Sequence, residues 1–230
     1  SVNTTAGFSI VKWTGTGSAG TLGHGLTTTP KMIIVKNLSD SVNWMVYHHS
    51  VITAGASNKS FMTLNTTDVL GTNGSATTFT SVSDTTFGVG TDNIVNGSSD
   101  NMIAYCFAEK KGFSKFGSYT GNGNNDGTFV YTGFKPKFLM IKNYTTGAYS
   151  WTINDDVRTP HNVMDKWLYP NSNTGEATSS SYNMDLLSNG FKSRNTGSNT
   201  NDNNNGYIYM AFAEEPLVAN VGASIPATAR

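Results

Sequence analysis

A chain of 230 residues holds one large or two modest domains, each with room for a real core. Its 15 basic residues balance 15 acidic ones, so there is no basic excess to neutralise nucleic-acid phosphates and no basic face for an anionic membrane. Charged residues make up only 13% of the chain, and the polar surface must come from Asn, Thr, Ser and Gly, which suits extracellular adhesins, virion shells and fibres better than cytosolic enzymes.

Taken in chain order, Phe8–Thr14 reads as the first strand. Gly15-Thr-Gly-Ser-Ala-Gly20 then matches the spacing of a dinucleotide loop, but such a loop must open a helix. Thr21-Leu-Gly-His-Gly-Leu26 cannot start one, so no nucleotide cofactor is expected. Lys31–Lys36 is a short Ile- and Val-rich run between Pro30 and the turn residues Asn37, Ser39 and Asp40, the pattern of a buried strand. Further strands are predicted at Asn43–His48, Ser60–Asn65, Thr77–Ser81, Thr86–Val89 and Asn101–Ala108. No window carries a capped helical stripe, and the Asn-Gly pairs at Asn73, Asn96, Asn122, Asn189 and Asn205 are turn chemistry. The single cysteine, Cys106, excludes an intrachain disulfide and reads as a small buried hydrophobe. No stretch is long enough to span a bilayer as a helix.

The pattern then returns. Pro30-Lys-Met-Ile-Ile-Val-Lys-Asn37 reappears as Pro136-Lys-Phe-Leu-Met-Ile-Lys-Asn143. Trp44 reappears as Trp151, Phe61-Met-Thr-Leu-Asn65 as Trp167-Leu-Tyr-Pro-Asn171, and Phe107-Ala-Glu109 as Phe212-Ala-Glu214. These collinear matches lie roughly 106 residues apart, which indicates a duplicated domain rather than a solenoid turn. Lys137–Lys142 and Gly206–Ala213 are the twins of the first copy's central and closing strands. The expected fold is all-β: two tandem duplicated, jelly-roll-like β-sandwich units packed together, over residues 1–111 and 112–215, with an extended tail over 216–230.

Few residues carry a chemical signature. His48 and His49 are adjacent, so on a strand they point to opposite faces and cannot share an ion; their counterparts are Asp155 and Asp156. These histidines, with His24 and His161, are expected at or near the surface. Counted from Asn201, the run NTNDNNNG imitates the start of a calcium loop, but Phe212 stands where the bidentate Glu is needed, so no metal site is expected. Asp155, Asp156, Asp165, Glu176 and Asp185 show no paired-carboxylate geometry, and no catalytic residue is assigned. Trp44 and Trp151 recur at equivalent places and read as core anchors, with a sugar-stacking platform as the alternative. The unrepeated Tyr149, Tyr182 and Tyr207 are the candidate binding residues, since an exposed face need not be copied.

The runs Phe8-Ser-Ile-Val, Pro30-Lys-Met-Ile-Ile-Val-Lys-Asn37, Trp44-Met-Val-Tyr-His48 and Tyr105-Cys-Phe-Ala-Glu109, with Asp156-Val-Arg158 and Leu187-Ser-Asn-Gly-Phe191 in the second copy, resemble an uncharacterised β-rich repeat family. Its members occur in virion and tail-fibre proteins of marine tailed phages, including those infecting cyanobacteria. The resemblance runs from Thr5 to Pro216 and implies a longer parent protein with a further repeat upstream of Ser1. It implies a non-enzymatic, structural and adhesive virion protein on the particle surface, with other virion proteins and a host-surface glycan as partners. It also implies a homo-oligomer, expected to be a trimer, with no nucleic acid, no membrane insertion and no cofactor. A capsid decoration protein and a secreted carbohydrate-binding module are the alternatives.

Overall fold

A computed structural model describes residues 1–56, 60–72 and 78–214. The expected tail, the Asn73 turn and the start of the strand expected at Thr77–Ser81 lie outside the described residues. The chain divides into two compact units, Ser1–Glu109 and a second that begins at Lys110. That division falls two residues before the expected one. The reason is local: the Lys110 carbonyl accepts the amides of Phe113 and Ser114, and its own N–H donates to Ser114 Oγ, which ties Lys110 to the second unit.

The first unit holds β1 (Val2–Asn3), β2 (Phe8–Thr14), β3 (Gly20–Gly23), β4 (Met32–Asn37), β5 (Met45–His48), β6 (Ser60–Thr63), β7 (Gly71–Thr72), β8 (Phe79–Val82), β9 (Thr86–Val89) and β10 (Asn101–Phe107), with one helical turn α1 (Asn93–Asn96) before β10. The second holds β11 (Ser114–Thr120), β12 (Phe129–Tyr131), β13 (Phe138–Asn143), β14 (Thr152–Asp155), β15 (Lys166–Trp167), β16 (Ala177–Thr178), β17 (Met184–Leu187), β18 (Gly190–Ser193) and β19 (Gly206–Phe212). The architecture is nearly all β, and the paired strands are antiparallel. α1 was illegible as a periodic stripe because it is a single turn, capped by the Asp92 carboxylate on the Ile94 amide. β3 was also missed: Gly-Thr-Leu-Gly has almost no β-propensity and forms only because β9 pairs with it.

In the first unit the large sheet runs β1-β2-β10-β4-β5-β6-β7 and a smaller one runs β3-β9-β8. In the second the sheets run β11-β19-β13-β14 and β12-β18-β17, with β15 and β16 as a separate pair. The order β2-β10-β4-β5 thus recurs as β11-β19-β13-β14, and β3-β9-β8 as β12-β18-β17. Cross-strand register puts Cys106, Ile33 and Tyr47 in one row and Ala104, Val35 and Met45 in the next. The corresponding rows are Ala211, Leu139 and Asn154, then Tyr209, Ile141 and Thr152. Met32 and Ile34, on the opposite face of β4, are buried too, which explains why this segment reads as a continuous apolar run rather than an alternation. Aromatic contacts join the two sheets of each unit. Trp13 meets Phe87 at 5.9 Å and Tyr47 meets Phe79 at 5.6 Å in the first; Tyr119 meets Phe191 at 5.7 Å and Phe191 meets Tyr209 at 5.2 Å in the second.

A buried asparagine braces each unit. The Asn96 amide NH2 donates to Gly90 O (3.0 Å) and Ser18 O (2.7 Å), and its Oδ1 accepts from the Thr16 N–H (3.1 Å). The Asn201 amide NH2 donates to Asn195 O (2.7 Å), Asn124 O (2.8 Å) and Asn122 Oδ1 (3.0 Å), and its Oδ1 accepts from the Asn122 N–H (3.1 Å). Their own carbonyls receive the amides of Gly17 and Gly123 at 2.9 Å. The Gly-x-Gly spacing that imitates a nucleotide loop is therefore a packing device. Gly17 and Gly123 take φ of +68° and +62°, and a methyl at Gly15 would run into the Gly97 carbonyl oxygen. Asn201→Ala is expected to lower stability by about 3 kcal/mol, since it strands several buried partners at once. Asn201→Asp is expected to cost at least as much, because a carboxylate would face three acceptors. Urea denaturation, with amide exchange read at Gly121 and Gly123, checks both.

Candidate functional site

The second unit's small sheet positions the most exposed aromatics. β12 alternates: Val130 points into the core at 7% exposure, while Phe129 and Tyr131 point outward at 43% and 64%. Register places Lys192 opposite Phe129 and Gly190 opposite Tyr131 on the neighbouring strand, then Asp185 and Leu187 beyond them. The Phe129 ring lies against Gly190, where an added Cβ would sit 3.0 Å from a ring carbon. The Tyr131 ring leans over Gly133, whose φ is +85°. Each ring therefore rests on a glycine and turns its remaining surface to solvent. β12 is also an edge strand of its sheet. Beside the rings, Asp126 pairs with Lys192 (2.6 Å) and Arg194 (3.4 Å), and Arg194 Nε also reaches Asp185 (3.4 Å). The hydrogen bond and charge of Lys192 hold Asp126 below the usual carboxylate range. The corresponding strand of the first unit, β3, carries no aromatic residue.

Of the three tyrosines expected on an exposed face, Tyr207 is not there. It is 0% exposed in the core, its hydroxyl donating to Ser198 O (2.9 Å) and accepting from the Asp202 N–H (2.8 Å), and burial pushes it up to about 12. It sits on the inward side of β19, where its counterpart is Met102, so its lack of an aromatic twin reflects a different way of filling the same core position. Tyr149 and Tyr182 are half-buried. Tyr182 packs edge-on against the buried Trp167 at 4.8 Å, Tyr169 meets the same indole at 6.3 Å, and burial, with Tyr169 and Tyr149 nearby, raises the Tyr182 hydroxyl. Phe129 and Tyr131 were overlooked, though the signal was present: two aromatics two residues apart around an aliphatic, absent from the first copy.

The two repeated tryptophans diverge. Trp151 is buried, and its backbone N–H donates to Asn171 Oδ1 at 3.0 Å. Trp44 keeps the equivalent bond to Asn65 Oδ1 (2.9 Å) but is half-buried and stacked on Tyr105 at 6.4 Å. Cys106 is buried, and burial pushes its thiol up to about 12, far from a reactive thiolate. Four of the five carboxylates noted in the second copy sit against cations: Asp155 on Arg158, Asp156 on Lys135 and Lys137, Glu176 on Lys166, Asp185 on Arg194.

His49 and His161 are exposed as expected, but His24 and His48 are buried, which corrects the surface expectation for those two. The His48 and His49 rings lie side by side at 5.4 Å rather than on opposite faces, because β5 ends at His48 and the alternation ends with it. No group of three or more His, Cys, Asp and Glu suited to a metal occurs among the described residues. Asn201 spends its NH2 donors on Asn122, Asn124 and Asn195 and its Oδ1 on the Asn122 N–H. His24 Nδ1 accepts from the Leu26 N–H (3.1 Å), which leaves Nε2–H to donate to Ser83 O (3.2 Å) and fixes the neutral tautomer.

The fold and surface define an all-β protein of two compact units with an aromatic face on the second. The chain belongs to the family described as a domain of unknown function, DUF7483, whose model matches residues 1–216 and so spans both units. No curated protein and no solved structure matches it.

Burial lowers the His24 pKa from 6.5. The unfolded chain therefore takes up this proton first, so the His24 contribution to stability is full above about pH 6.5 and is lost as the pH falls through the folded value. Thermal unfolding is expected to show a midpoint that drops between pH 7 and pH 5, by less in His24→Gln, with the His24 ring resonance titrating below 6.5.

Proposed function

We propose that the chain is a non-catalytic, adhesive virion protein of a tailed phage, built from two duplicated jelly-roll-like β-sandwich units and displayed on a tail fibre. The observation that carries the adhesive role is the Phe129–Tyr131 pair, two rings bedded on glycines with open outer surfaces on one unit only. The recurrence of strand order, register and asparagine braces supports the duplication. The likeness to tail-fibre repeats supplies the virion setting, and with it partner virion proteins and a trimeric assembly. A ring presenting one free face is suited to stack on the apolar face of a host-surface sugar. Burying such a ring contributes roughly 1.5–3 kcal/mol, a weak contact by itself, so firm attachment comes from multiplying it over the copies on a fibre.

The reading predicts that fluorescent chain binds host cells, and that Tyr131→Ala and Phe129→Ala each cut this binding at least tenfold. Melting should barely move for Tyr131→Ala, as the side chain is mostly exposed. Immunogold on source virions should decorate distal fibres. Gold spread over the head would overturn the tail-fibre assignment in favour of a capsid decoration protein, and unchanged cell binding by both variants would overturn the role of this face.

A further inference from the structure

A second feature of the same unit is an open depression of about 170 Å³. Met164 and Leu186, both buried, form its floor, and Lys135, Asp156, Thr159 and His161 stand on its rim. We propose that this depression seats one neutral sugar ring. The inference rests on the glycan-binding reading above and assigns it a second contact.

Size is the first argument. Sites for drug-sized ligands start at about 300 Å³, so the space suits a single ring rather than a chain or a peptide. Chemistry is the second. A mostly polar lining of mixed donors and acceptors over a small apolar floor matches the belt of hydroxyls on a pyranose. The charges here offset one another: the Asp156 carboxylate lies 3.9 Å from Lys135 and 3.4 Å from Lys137, and Lys137 also pairs with Glu214 at 2.8 Å. A site with so little net field is poorly suited to a free anion or a metal ion. The third argument is an unmet polar group. Thr159 Oγ1 is buried and has no hydrogen-bond partner among the described residues. A hydroxyl held out of solvent is costly unless something bonds to it, and a sugar hydroxyl can do so as donor or acceptor.

The walls are fixed before any ligand arrives. The Asn162 carboxamide grips the Leu186 backbone at both ends, donating to its carbonyl and accepting from its N–H, each at 3.0 Å. The Asp156 N–H bonds to Lys137 O at 3.2 Å. Such bracing lowers the ordering cost of binding. In the first unit His49 takes the place of Asp156. Leu186 faces inward on β17, at the opposite edge of the small sheet from β12, so the depression is a contact separate from the aromatic face of the same unit.

The test is an amide-shift titration of the full chain with glucose, galactose, mannose and N-acetylglucosamine, each alone. At least one of them should move the Thr159, His161 and Asn162 amides, saturably and in the millimolar range. Thr159→Val, which removes no bond from the fold, should weaken that sugar about fivefold, the worth of one hydrogen bond. Asp156→Asn should weaken it at least tenfold, since its bond is charge-assisted. Tyr131→Ala should leave the single-sugar affinity unchanged while cell adhesion falls, so the two contacts fail separately. The proposal is overturned if none of the four sugars moves these amides, or if Thr159→Val binds as tightly as the parent chain.

Discussion

Within each unit the two sheets must be held at a fixed distance by a chain that is poor in charge and free of disulfides. The buried carboxamides of Asn96 and Asn201 meet that constraint. Each is 2% exposed or less and bonds the loop after the first long strand to the segment before the closing strand. An asparagine suits the place because it donates and accepts at one planar group, where an aspartate could only accept. The glycines around it follow from the same demand. Gly15 and Gly121 have backbone where a Cβ would stand, and Gly17 and Gly123 take a left-handed conformation to deliver their amides. Side chains elsewhere in the two units then vary widely, as Met102 and Tyr207 do at matching core positions, without changing strand order.

That freedom lets the second unit differ at its surface. Its small sheet keeps Val130, Leu186 and Phe191 inward, and the outward positions of the same strands hold Phe129, Tyr131 and Lys192. Gly190 serves both sides of this arrangement. It accommodates the Phe129 ring, and a methyl there would collide with the Val130 carbonyl oxygen. The aromatic face is thus tied to the strand pairing, which holds the two rings in place.

Polar groups inside the units are mostly spent on structure. His24 holds the Leu26 and Ser83 backbones, and Asn37 and Asn143 each cap the turn after a central strand by accepting two amides. Lys142 is fully buried, with its ammonium donating to the Tyr149 carbonyl. Among the described residues eight buried side-chain atoms have no hydrogen-bond partner, and two of them, Asp156 Oδ1 and Thr159 Oγ1, belong to residues lining the open depression.

The sequence by itself determined the β class, the closely matching strand positions Phe8–Thr14 and Thr86–Val89, and the central strands to within a residue, because period, β-branching and turn residues act locally. It also exposed the recurrence of Pro30–Asn37 at Pro136–Asn143, since both copies obey the same local rules. Tertiary structure alone decided the rest. Gly20–Gly23 is a strand only because β9 supplies its partner, and Asn96 and Asn201 are braces only because residues nearly eighty positions away come to meet them. Burial of His24 and Tyr207, exposure of Tyr131, and the meeting of Lys135, Asp156 and Thr159 around one depression likewise depend on distant segments. A side chain's chemistry is written in the sequence, but its solvent exposure belongs to the packed sheets around it.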